Sequence, residues 1–245
     1  MDLEISPNKR AFAELRSQDL WLEIQSRECS IRNMGDTHPR RKNAAKPEVT
    51  LNRILKRRYD RAAAVRYAMI YALAYNPTYP DLSHAAGHGD GGDCNNFVSQ
   101  ALFAGGWTMV YGLAHWPSNW WYRHKPTGSF WEHRFEGYAS ASWPSPAWFY
   151  RFLSLSDRAV QCNERDLLPG DIIQAIEMPE RPVFHTMLVT SKRGNDVGLT
   201  YHTTNVLDFS FNLYTRPKFG KDVDYIYWKL SDTFDVPDEL DDGRD

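Results

Sequence analysis

The sequence predicts an α+β domain with an antiparallel sheet, because helix-forming segments come first and a meander of short strands follows. Three observations carry that prediction. Residues 51–75 are rich in Ala, Leu, Arg and Tyr, and residues 97–102 place Phe97, Val98, Ala101 and Leu102 on one helical stripe. After residue 170 the pattern changes to short runs of β-branched and aromatic residues separated by turn residues. At 245 residues, with 42% hydrophobic and 24% charged side chains, the chain can bury a core without a disulfide or metal.

Taken in order, Ser6-Pro7 caps an amphipathic helix holding Phe12, Leu15 and Leu22 and ending near Ser26. Residues 33–46 read as an exposed linker, and eight basic residues fall between 40 and 58 against Glu48 alone. Those charges read either as an anionic-surface contact or as a solvated helix face. A long helix from Leu51 to Tyr75 is stopped by Asn76-Pro77. The glycine-rich loop 81–93 then enters a helix ended by Gly105-Gly106, and Ser145-Pro146 caps another. Strands are expected at Asp171–Ile176, Phe184–Thr190, Gly198–Thr203 and Val223–Leu230. The organisation is thus 1–50, an N-terminal helix and basic linker; 51–231, the folded domain with an aromatic insertion at 106–152; and 232–245, an acidic tail expected to be disordered.

Several classes fall away. A net charge of −2 excludes nucleic-acid binding by bulk charge. The longest apolar stretch, Ala68–Tyr75, is far short of a bilayer span of about 20 residues. The amino terminus has no apolar leader, so the chain as written reads as cytoplasmic, or extracellular if the segment is trimmed. Cys29, Cys94 and Cys162 suggest no disulfide framework. His84 and His88 stand four apart, but the surrounding glycines remove the helix a zinc site would need. No nucleotide-loop or G-x-S-x-G motif occurs, so no cofactor is expected.

The chemistry concentrates at GHGDGGDC. With Asp93 as the expected N-cap, Cys94 occupies a first helical turn. Outward N–H groups there favour the thiolate and can hold an oxyanion. A nucleophilic thiol needs a base and a group to orient that base. His185 opens one predicted strand and His202 closes the next, so hairpin pairing brings both histidines to one end of the sheet. Taken singly, the cysteine is a small buried residue and each histidine a satisfied sheet-edge residue; together they point to catalysis.

The order of GDCNNFVSQAL, LPGDIIQ, HTMLVT and YHT, with the upstream run YDRAAAVRYAMIYALAYNPTY, resembles the bacterial putative amidase domain family over residues 58–206. That family is similar to the NlpC-type branch of papain-like cysteine hydrolases. The resemblance implies a papain-like fold, with the cysteine-bearing helix packed on the sheet that carries the histidine. It also implies Cys94 as nucleophile, His185 as general base and acid, and His202 as the third, orienting residue, with Asn205 as competitor. Asp93 would cap the helix and meet a substrate amine. The implied substrate is a peptide or peptidoglycan-like amide of the cell wall. A rival reading is a silent glycan- or peptide-binding module using exposed aromatics. Seven of the nine tryptophans lie in the insertion, either as a secondary core or as a groove wall, with Trp120 and Trp121 expected at the surface as substrate contacts.

Overall fold

The computed structural model describes residues 54–83, 92–123, 139–177 and 183–237. The expected helix at 6–26, the basic linker up to Lys46, Cys29, His84, His88, Trp131 and the last eight residues lie outside the described residues. The described residues fall in one compact unit, Leu51–Asp245.

Strand β1 (Ile54–Arg58) stands where the sequence predicted the start of a helix. Its backbone pairs antiparallel with β8 (Thr233–Pro237), Ile54 opposite Pro237 and Arg58 opposite Thr233. The long-range partner overrides the local helix preference. The same pairing corrects the expected disorder from residue 232, because the first part of the acidic tail is a strand. Helix α1 (Arg61–Tyr71) starts only after Asp60, whose carboxylate accepts from the Ala63 N–H at 2.9 Å. Helix α2 (Asp93–Ala104) is buried along most of its length, and α3 (Pro146–Leu155) begins at Ser145-Pro146 as expected. The sharp turn after α2 needs glycine, since a Cβ at Gly105 would lie 3.0 Å from the Ala64 Cβ of α1.

Six antiparallel strands form the main sheet in the order β2-β7-β3-β4-β5-β6. They are β2 (Ala159–Gln161), β3 (Ile172–Glu177), β4 (Val183–Arg193), β5 (Asp196–Tyr201), β6 (Val206–Ser210) and β7 (Val223–Leu230). The sequence foresaw four of them; β2 and β6 are short edge strands without a run of their own. Between β6 and β7 lies the short helix α4 (Arg216–Phe219). The architecture is therefore α+β, and among the described residues no helix is long and apolar enough to cross a membrane.

The sheet separates two apolar layers. On one face Ile172, Leu188 and Trp228 meet Phe97, Val98, Ala101 and Leu102 of α2 together with Trp107, Trp120 and Trp143. On the other, Ile173, Ala175, Met187, Val189 and Tyr201 pack with Phe211 and Phe219. Trp120 and Trp121, expected at the surface, are 0% and 3% exposed. Their indoles are held inside: Trp120 Nε1 donates to Ser99 Oγ at 3.1 Å and Trp121 Nε1 to the Gly112 carbonyl at 3.1 Å. Within the described part of the aromatic segment Trp107, Trp120, Trp121 and Trp143 are core, and the indole N–H groups of the last three are paired inside it.

The turn LPGD ties the two ends of the domain together. Asp171 is fully buried and accepts from Leu168 N at 2.8 Å, Leu230 N at 2.9 Å and Arg61 Nη1 at 2.6 Å. Arg61 also reaches Asp232 at 2.6 Å and the Leu230 carbonyl. Gly170 has φ +90°, and a Cβ there would come 2.9 Å from Arg61 Cβ. Both facts demand glycine.

Candidate active site

Cys94 is the second residue of α2, and Gly92, not Asp93, is its N-cap. Asp93 is the first helical residue, and its carboxylate turns inward. Oδ1 accepts from Leu82 N at 3.0 Å and Asn96 Nδ2 at 2.8 Å, and Oδ2 meets His202 Nδ1. With every contact internal and the side chain buried, Asp93 neither caps the backbone nor faces a substrate amine. That expectation is corrected.

The two asparagines after the cysteine, which the sequence left without a role, anchor this turn. Asn95 Nδ2 donates to the carbonyls of Ser142 at 3.0 Å and Trp143 at 2.9 Å. Asn96 Nδ2 donates to the Pro80 carbonyl at 3.0 Å, while Asn96 Oδ1 accepts from Trp143 Nε1 at 2.9 Å. The clustering of polar residues in CNNFVSQ, facing an indole-rich segment, was the available signal.

The backbone N–H groups of Asn95 and of Cys94 itself, at the helix start, and of Thr186, the residue after His185, act on the Cys94 thiol. These three donors favour a negative sulfur, as the helix-start expectation held. Burial outweighs them: Cys94 is 1% exposed, and desolvation pushes its thiol up to about 12. The expected low thiol pKa is corrected, and in the resting protein the group is a neutral thiol.

Hairpin pairing of β4 and β5 does bring His185 and His202 to one end of the sheet. Alternation along β4, however, gives Thr186 and Leu188 to the α2 face and His185 to the opposite one, with Met187 and Val189. The imidazole of His185 sits 4.9 Å from the Tyr201 ring and 5.3 Å from Phe219, and its Nε2 is buried without a partner. Burial, aided by the Lys218 charge, holds His185 down to about 3, so the ring is neutral. Among the described residues no hydrogen bond joins Cys94 to His185; the thiol reaches the strand beside the histidine, not the ring.

Neither expected orienting residue touches His185. His202 is engaged by Asp93 at Nδ1 and by the Tyr71 carbonyl at Nε2, 2.8 Å away. Asn205, at φ 46°, accepts from Tyr75 Oη at 3.4 Å. Among the described residues no group of three or more His, Cys, Asp or Glu could hold a metal ion.

Accessibility orders the thiols. Cys162 is partly exposed and pushed up only to about 11, so iodoacetamide at pH 8 labels Cys162 before Cys94. The Cys94 rate climbs about tenfold per pH unit until pH approaches its own titration near 12. Peptide mapping of the labelled chain over a pH series measures both.

The described residues form an α+β domain with Cys94 at a helix start and His185 on the adjoining strand, and the chain belongs to a family of amidase-type domains. The family described as "Putative amidase domain" matches residues 58–221, 164 of the 245 residues. The chain is also similar to the uncharacterized protein YhbB of Bacillus subtilis (strain 168), with 33% identity over 142 residues. That alignment covers 56% of this chain and 39% of the relative, so the chain spans well under half of that protein's length. No solved structure matches.

Proposed function

We propose that the protein is a cysteine-dependent amide hydrolase of papain-like, NlpC-type organisation, acting on a peptide or peptidoglycan-like substrate through an acyl-thioester. The observation that carries this reading is the seat of Cys94 on the first turn of α2, the helix that packs on β4, the strand carrying His185. Family membership supplies the amide chemistry in general terms.

In this reading neutral His185 takes the thiol proton as the sulfur attacks the carbonyl, so the reaction starts from a neutral pair. The thiol–imidazole bond requires the His185 ring to leave the layer it shares with Tyr201 and Phe219 and turn to the α2 face, a rearrangement of this end of β4 that the reading assigns to the substrate complex. N–H groups of the first helical turn receive the oxyanion. The protonated His185 hands its proton to the leaving amine, and water, activated by the same ring, releases the acyl group. The rival reading as a silent binding module relied on exposed tryptophans, and Trp120 and Trp121 are unavailable for it because both are buried.

The test is acyl-enzyme trapping. Incubation with peptide thioesters or activated peptide amides followed by acid quench gives a Cys94-containing peptide heavier by the acyl group. His185→Ala slows both its formation and its decay. An acyl group found on another residue, or none formed while product accumulates, refutes the reading.

A further inference from the structure

We infer that Asp93 and His202 are a positioning pair for Cys94: a carboxylate–imidazolium clamp tying the end of β5 to the first turn of α2 and the last turn of α1. This rests on the reading of Cys94 as the nucleophile and gives His202 a role other than orienting His185.

The proton count follows from the contacts. His202 Nε2 lies 2.8 Å from the Tyr71 carbonyl, and a carbonyl only accepts, so Nε2 carries a hydrogen. Asp93 Oδ1 accepts from Leu82 N–H and Asn96 Nδ2–H, and the pair is assigned with Asp93 as the carboxylate. An ionised Oδ2 can only accept from His202 Nδ1, so that nitrogen carries a hydrogen too. The ring is then a cation and the pair is neutral as a unit. Neutrality matters here because His202 and Asp93 are 1% and 0% exposed, and either charge alone would be costly to bury.

The helix ends agree with this assignment. Tyr71 is the last residue of α1, where exposed carbonyls favour a cation, and Asp93 is the first residue of α2, where free N–H groups favour an anion. The imidazole is fixed sideways between Phe97, stacked at 4.0 Å, and Tyr75 at 4.3 Å. With both nitrogens donating, His202 has no lone pair to accept the thiol proton. Its influence reaches the sulfur through Asp93, one peptide bond away, which sets where Cys94 meets Thr186.

The experiment uses the full chain labelled with 15N-histidine. Two ring N–H protons are expected on His202, assigned in the wild type by their proximity to the Phe97 and Tyr75 rings and by their loss in a folded His202→Gln; a single ring proton overturns the clamp. In Asp93→Asn, checked for folding by circular dichroism, iodoacetamide alkylation of Cys94 accelerates about tenfold or more relative to Cys162, as the turn loosens. The His185 ring signals stay where they are. An unchanged Cys94 rate, or a coupled shift of His185, overturns the positioning role. If Asp93→Asn does not fold, the Cys94 rate in His202→Gln is read in the same way, and the wild-type ring protons decide if neither variant folds. None of these readouts needs turnover, whereas retained activity in Cys94→Ala would sink the nucleophile and leave the clamp standing.

Discussion

Replacing Cys94 with alanine lowers turnover of a peptide amide by about 10⁴-fold or more while the chain stays folded. The loss is this large because the sulfur forms the covalent bond on which both half-reactions depend. Alanine leaves the helix-start N–H groups in place but gives them no acyl intermediate to stabilise. The fold survives because the anchors of this turn are Asp93, Asn95 and Asn96, not the thiol. His185→Ala falls to a similar floor, and the double variant loses little more, since the two groups act as one unit. The pH profile of kcat/KM is flat from pH 5 to 9, because His185, held down to about 3, and Cys94, pushed up to about 12, both titrate outside that window. The measurement is steady-state hydrolysis across pH for wild type and variants. Wild-type turnover in Cys94→Ala removes the cysteine mechanism, and a limb near the ordinary histidine value removes the buried neutral base.

Asp171→Ala destabilises the domain by about 3–5 kcal/mol, the usual result of stripping one member from a buried ion pair. At this chain length that corresponds to a fall in Tm of roughly 6–20 °C. The carboxylate satisfies two backbone N–H groups, at Leu168 and Leu230, and the Arg61 guanidinium. Alanine orphans the two backbone donors and removes the buried partner of Arg61, and the carboxylate's place is fully buried from water. Arg61 is less exclusive, since Asp232 holds its Nε at 2.6 Å, so Arg61→Leu costs less than Asp171→Ala. Thermal denaturation of the two single variants and the double gives the coupling energy. A coupling close to zero would show that the cost lies in the backbone donors rather than in the ion pair.

Much of the site was readable before the fold was. The glycine-rich entry into a helix marked Cys94, and a strand–turn–strand pattern placed His185 and His202 at one end of a hairpin. What the pattern left open was the face. Side chains alternate along a strand, so a histidine two residues from another apolar position can look to either layer. Only the pairing of Gln174 with Thr186 and of Ala175 with His185 fixes which one it enters. Asp93 was misread for a related reason: an aspartate before a helix is ordinarily a cap, and only β5, arriving 109 residues later with His202, turns its carboxylate inward. Trp120 and Trp121 were placed at the surface because adjacent indoles in a loop have no periodicity to show what covers them.

By itself, then, the sequence determined the α+β class, the helix that presents Cys94, four strands of the sheet and the family, since each depends on local periodicity, turn chemistry or a contiguous motif. The tertiary structure alone decided that Ile54–Arg58 is a strand, that the acidic tail begins with its partner, that the thiol is buried and neutral, and that His202 belongs to Asp93. Those outcomes are set by partners distant in the chain and by desolvation, and neither quantity is written in neighbouring residues.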